Sequence, residues 1–276
     1  MGANEQGRQV EYPTGIGTSD TSSIRLLGHD LAGELMGNIG FGELALWLAT
    51  QRRPTPQQVR VFEAVLVSLA DHGFTPTAIA ARLTLYSAPD ALQGAMAAGL
   101  LGGGSRFLGV TEDTGRFLSG VLATVAGDLP TTNEQWDALA RRAVSEQRAA
   151  GRFVPGLGHP VHKVADPRTP VIIEIAEREG LRGPHLRLFE AIGRVHAEVL
   201  GRTLPLNGAG VAGAALADIG LPPELLRGVA LLARAAGLLG HLAEELRSPI
   251  APTIYSAIDR NAVYRPGVSA DTTEQC

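Results

Sequence analysis

The chain has 276 residues, 45% hydrophobic and 19% charged, with a formal net charge of −4 and a pI near 6.0. The acidic balance argues against broad nucleic-acid binding, and no apolar run reaches the roughly 18 residues expected of a membrane span. The one cysteine, Cys276, leaves neither an intrachain disulfide nor a cysteine metal cluster, which fits a cytoplasmic location.

Residues 1–22 read as a loose N-terminal arm, rich in Gly, Thr and Ser and without the apolar stretch of a signal peptide. Beyond it the pattern is helical almost throughout. Helices are expected near 28–36, 41–52, 57–70, 76–87, 89–101, 107–126, 133–150, 170–179, 185–200, 208–218 and 222–247. In the 57–70 segment Val59, Phe62, Val65 and Leu66 form an apolar stripe, and Gly73 suits a C-terminal stop. Thr-Pro pairs at Thr55-Pro56, Thr75-Pro76 and Thr169-Pro170 read as helix starts, Thr as cap and Pro in the first turn. No Val/Ile/Thr/Tyr alternation persists, so an all-α protein follows. The 39 Ala and 34 Gly predict closely packed helices.

Two stretches interrupt the helices, 99–109 (GLLGGGSRFLG) and 151–168 (GRFVPGLGHPVHKVADPR). The second is long, irregular and carries apolar residues, two His and Lys163, the only lysine. In Pro155-Gly156-Leu157-Gly158-His159 the glycines let backbone amides approach a ligand, and His159 can move a proton near neutral pH. The spacing of a phosphate-binding GxxxxGK[ST] loop is absent. A rigid surface turn with an incidental His is the alternative.

The segment 224–247 is mostly apolar, yet it carries Arg234 and His241 on one face, with Glu244 and Glu245 a turn further on. Buried, these groups must be paired. Two readings are open: a structural network of His241 with Glu245, or an anion-binding Arg beside an acid/base pair. Two ligands on one helix fall short of a zinc site, so no metal is expected. Arg106, in Gly102-Gly103-Gly104-Ser105-Arg106, suits either a tight junction or an anion contact. His72 reads as a polar cap, and His29, His185 and His196 as helix-face residues without a partner pattern.

Val154-Pro155-Gly156-Leu157-Gly158-His159, with His162-Lys163 and Asp166-Pro167-Arg168, resembles the signature loop of the citrate synthase superfamily. Ala70-Asp71-His72-Gly73, 97–102 and the segment 233–241 fall in the same order, and Gly104-Ser105-Arg106-Phe107 is similar to the citryl-CoA lyase branch, including the lyase module of ATP-citrate lyase. The resemblance implies a two-lobed helical homodimer. A large lobe would comprise 23–108 and 221–276, and an inserted small lobe 109–220 would close over coenzyme A. It also implies that Val154, Pro155, Gly156, Leu157 and Gly158, with Lys163 nearby, bind the coenzyme. His159 would touch the oxygen that is carbonyl in oxaloacetate and hydroxyl in citryl-CoA. His72, Arg168 and Arg234, with Arg106, would hold the carboxylates of the four-carbon acid.

Four departures bear on the activity. Phe107 stands where citrate synthases carry a His, and Ala209 where they carry an Asp. The 248–252 segment lacks a substrate Arg, and Pro160 replaces an Arg after the loop His. Synthesis needs a base and an enolate stabiliser. Cleavage needs a base at the tertiary hydroxyl, expected at His159, and an acid for the leaving enolate, expected at Glu244 with His241 orienting it. The expected function is therefore cleavage of citryl-CoA, or a close acyl-CoA relative such as a citramalyl-like thioester, with CoA thioester as substrate and no permanently bound cofactor. The rivals are a citrate or methylcitrate synthase and a CoA-binding regulatory homologue without turnover.

Overall fold

The structure is a computed structural model that describes residues 11–159 and 162–265. Cys276, Pro160 and residues 1–10 of the expected N-terminal arm lie outside the described residues. Three short strands come first, β1 (Gly17–Ser19), β2 (Ile24–Leu26) and β3 (His29–Asp30), as an antiparallel sheet in that order. Leu26 pairs with His29 across a turn in which Leu27 and Gly28 both have positive φ, the geometry of a tight two-residue hairpin. A π-helical turn, Leu31–Leu35, follows with Asp30 as its cap. The helix expected at 28–36 is thus a strand and a single turn, because the hairpin takes residues 29 and 30.

Eleven α-helices follow among the described residues: α1 (Phe41–Thr50), α2 (Pro56–Ala70), α3 (Pro76–Ser87), α4 (Leu92–Leu101), α5 (Val110–Ala123), α6 (Asn133–Ala149), α7 (Arg168–Arg178), α8 (Pro184–Leu200), α9 (Gly208–Asp218), α10 (Leu226–Arg247) and α11 (Ala251–Arg260). Thr55 and Thr75 accept hydrogen bonds from backbone N–H groups three residues on, as expected of caps. Thr169 does not: α7 begins two residues before the expected start, at Arg168, where the Asp166 carboxylate accepts from the Arg168 N–H, and the Thr169 hydroxyl donates to Leu206 O. The short helix α11 is absent from the sequence expectation.

The chain divides into two packed units. Residues up to 69 group with 108–230, and 70–107 group with the residues from 231 on. The seams fall at 69/70, 107/108 and 230/231, so residues 23–69 group with the middle segment. Gln58 Nε2 donates to Ile219 O, Arg60 pairs with Glu179, and Arg168 Nη1 donates to Ser68 O.

In the first unit α9 packs against α5, α7 and α8, while α6 lies along α8. α9 is nearly all Gly and Ala and almost wholly buried. A Cβ on Gly213 would stand 2.2 Å from Thr111 O, so the two backbones touch as the small-residue content predicts. In the second unit α3 packs on α4 and α11, around Ala78, Ala81, Leu85, Ala95, Leu238 and Leu242.

Pro223–Arg247, containing α10, is long and apolar enough to cross a membrane by length and composition, with a window of mean hydropathy 1.4. This corrects the expectation that no run would qualify. Its apolarity has a packing cause: Leu226, Val229 and Ala230 are core residues of the first unit, and Ala233, Leu238 and Leu242 of the second.

Candidate active site

The glycine-rich loop belongs to the first unit. Val154 is buried, and its carbonyl accepts from Leu157 N at 3.3 Å, closing a turn around Pro155 and Gly156. Gly156 has φ +82°, and a Cβ there would lie 2.5 Å from the Phe189 ring, so both its backbone shape and its surroundings require glycine. Leu157 forms a bridge with Leu206, and Gly158 N donates to Pro205 O at 2.8 Å. Asn207 completes the clamp. Its N–H donates to Gly156 O, its Nδ2 donates to Gly158 O at 2.7 Å, and its Oδ1 caps α9 by accepting from Gly210 N.

His159 follows, half-buried. His162 N donates to its Nδ1 at 2.9 Å, and the Lys163 ammonium donates to its carbonyl at 3.1 Å. The two imidazole rings lie 4.5 Å apart. An Nδ1 that accepts has its neutral ring's proton on Nε2, so in this arrangement Nε2 presents a donor. That suits polarising an oxygen. It does not provide the expected proton acceptor unless the His162 bond is released.

Arg168 forks onto Asp166 through Nε and Nη2 at 3.0 and 2.7 Å, and its Nη1 donates to Ser68 O. Asp166 is buried and also accepts from Gly208 N at 2.7 Å. Burial alone would raise its pKa. The Arg168 guanidinium and the N–H groups of Gly208 and Arg168 outweigh that and hold the carboxyl well below the usual range. The Arg168 fork is therefore already engaged and its orientation set.

The second unit carries the other expected groups. His72 is half-buried in the turn after α2. Arg234 is buried and donates from Nη1 to Asp71 Oδ1 at 3.4 Å. Asp71 also accepts from His241 Nε2 at 2.9 Å and from Gly73 N at 2.8 Å. Burial opposes ionisation of Asp71, but the Gly73 N–H, the His241 ring and the His72 N–H together lower its pKa. On its other side His241 Nδ1 accepts from Arg82, whose side chain is fully buried. Arg82 continues to Glu245 at 2.9 Å and to Glu244, and stacks over Phe74. Glu245 turns its other oxygen to the N–H groups of Ile250 and Ala251 at the start of α11.

The structure thus forms the His241–Glu245 network foreseen as one of two readings, but through Arg82. Glu244 is 58% exposed and its carboxylate is held by Arg82, an acceptor's position rather than an acid's. Arg106 and Phe107 are exposed, in a turn closed by Phe107 N to Gly104 O. Ala209 is half-buried in the first turn of α9. The 248–252 segment turns directly into α11.

Sequence reasoning missed Arg82, although a lone Arg among the buried Ala78, Ala81 and Leu85 was a signal. Asp71, Asp166 and Asn207 carry no role in the sequence reading, and each joins a local partner to a distant one, Arg234 and His241, Gly208, and Gly158 respectively. His185 and His196 do have partners: His185 lies between Ser119 and Asp218, and buried His196 accepts from Leu204 N.

The family model for the citrate synthase C-terminal domain matches residues 28–256. The chain is 28% identical to a citrate synthase of Deinococcus radiodurans over 203 residues, covering 70% of this chain and 48% of that protein. It spans about half the length of the curated relatives it matches. Among solved structures, a citryl-CoA lyase from Hydrogenobacter thermophilus is 29% identical with a TM-score of 0.81, covering 93% of this chain and 95% of that one. An ATP citrate lyase of Methanosaeta concilii, solved in complex with (3S)-citryl-CoA, is 22% identical with a TM-score of 0.73, covering 95% of this chain and 43% of that one. With a matched span that takes in the glycine-rich loop, the Asp71 turn and the Arg234 helix, this chain belongs to the citrate synthase family.

Proposed function

We propose that this chain is a carbon–carbon lyase that cleaves citryl-CoA, or a close 3-hydroxy acyl-CoA relative, to acetyl-CoA and oxaloacetate. The observation that carries the reading is the likeness of its fold to a citryl-CoA lyase, at 29% identity and a TM-score of 0.81. Phe107 and Ala209, where the synthase pattern has its His and Asp, support the same direction. In this reading the clamped backbone of Val154–Gly158 and Lys163 binds the coenzyme. Arg168, Arg234, His72 and Arg106 hold carboxylates, and the two-lobed arrangement with 109–220 as the small lobe applies.

His159 meets the substrate oxygen through Nε2. Cleavage requires that nitrogen to take the hydroxyl proton as the C–C bond opens. The His162 N–H must therefore leave Nδ1 once the thioester is bound. Glu244 must be free of Arg82 to protonate the enolate, with His241 orienting it.

Synthesis is the second reading, favoured by the names of the sequence relatives and by the donor tautomer of His159, which suits a ketone oxygen. Incubating the purified chain with citryl-CoA and following acetyl-CoA and oxaloacetate by mass spectrometry tests the proposal. Release of free CoA from acetyl-CoA plus oxaloacetate, without cleavage of any 3-hydroxy acyl-CoA, would overturn it in favour of synthesis.

A second copy of the chain is the proposed partner. Tyr86 of α3 and Tyr255 and Ile258 of α11 are exposed apolar residues, and the two tyrosine rings lie 6.4 Å apart on one face of the second unit.

A further inference from the structure

Three side chains of the first unit, none of them part of the loop, form a hydrogen-bonded chain. Ser119 stands on α5, His185 in the first turn of α8, and Asp218 at the end of α9. Ser119 Oγ lies 3.0 Å from His185 Nε2, and His185 Nδ1 lies 2.8 Å from Asp218 Oδ1.

The Asp218 side chain is buried and also accepts the N–H groups of Gly183, His185 and Leu186, so its position is set by the first turn of α8. A carboxylate so placed accepts the hydrogen bond from Nδ1–H and so leaves the Nε2 lone pair facing the serine hydroxyl. This is the relation of nucleophile, base and orienting acid that activates a serine, recognised by geometry and not by chain order. Ser119 is half-buried and the His185 side chain 17% exposed, so the Ser119–His185 pair is part-buried.

We propose that Ser119 is an acyl-accepting nucleophile, activated by His185 and Asp218, that reacts with activated esters and thioesters. Its oxygen attacks the acyl carbonyl while its proton passes to His185 Nε2. The bond from the carbonyl carbon to the leaving oxygen or sulfur then breaks, and His185 returns the proton to the departing alcohol or thiol. The products are an O-acyl Ser119 and the free alcohol or thiol, with no change of oxidation state. Ser119 lies mid-helix, where backbone N–H groups are tied into the α5 ladder and not aimed at a developing oxyanion. The expected behaviour is therefore slow acylation, one group per chain, and not rapid turnover.

The proposal is independent of the lyase reading, and its test uses no coenzyme. The purified full-length chain is incubated with p-nitrophenyl acetate, and the product is followed by intact mass and peptide mapping. One acetyl group on Ser119 is expected, absent from Ser119→Ala and slowed by about 10²-fold in His185→Asn. Asp218 is left intact because the α8 start depends on it, and unchanged circular dichroism spectra and melting confirm that both variants fold. Acetylation at the unaltered rate in either variant, or a label confined to Lys163, overturns the proposal.

Discussion

Arg82 is the residue on which the second unit's polar interior turns. Its guanidinium is fully buried and meets Glu244, Glu245 and His241 at once. Removing it leaves Glu245 a buried carboxylate without its cation, and breaking a buried pair in this way costs about 3–5 kcal/mol. Arg82→Met is expected to lose that much in urea unfolding, and to loosen the Asp71 turn through His241. His159 carries a different expectation. With His162 N on Nδ1, its free-state 15N signals should report the Nε2–H tautomer, and addition of a non-cleavable citryl-CoA analogue should shift them toward Nδ1–H. Unchanged signals with the analogue bound count against His159 as the base of cleavage. Asp166 supplies a pH dependence. Its folded pKa is depressed below the ordinary 3.8, so its contribution is complete above that value and is lost as pH falls below it toward the folded pKa. Asp166→Asn should flatten the acid limb of stability below about pH 4 while weakening the fold at neutral pH.

Among the elements, the glycine-rich loop is defined by what it lies against. Gly156 faces Phe189 and Gly210, and Asn207 ties the loop carbonyls to the start of α9. Gly156→Ala combines a left-handed φ with overlap on the Phe189 ring and should cost about 1–3 kcal/mol, measured by thermal melting. Most helices between 41 and 247 were legible because their apolar spacing and Thr caps are local signals. The hairpin was not, since strands of two or three residues leave no alternation to read. Nor was α11, whose Ile254, Tyr255 and Ile258 occupy too short a run to stand out. The loop was legible as a site because its glycines need conformations other residues avoid. The Arg82 network was not, since His241, Glu244 and Glu245 come from far along the chain, and for Asp166, beside its partner Arg168, the sequence shows neither its burial nor its bond from Gly208.

For the whole molecule, the exposed apolar face of α3 and α11 carries the expectation of self-association. Light scattering on the purified chain should give twice the chain mass, and Ile258→Asp, which puts a charge on that face without touching the core, should reduce it to one. A single-chain mass for the unaltered protein would remove the homodimer from the proposed function. The cationic surface has one more property. Of the 24 basic residues only Lys163 carries an amine, and its ammonium is exposed and bonded to the carbonyl of His159. A side-chain amine-directed fluorophore therefore has one lysine to find, four positions from the imidazole at the centre of the proposed chemistry. If the loop binds the coenzyme as proposed, the emission of a dye at that lysine is expected to change on addition of coenzyme A, with no engineered tag needed.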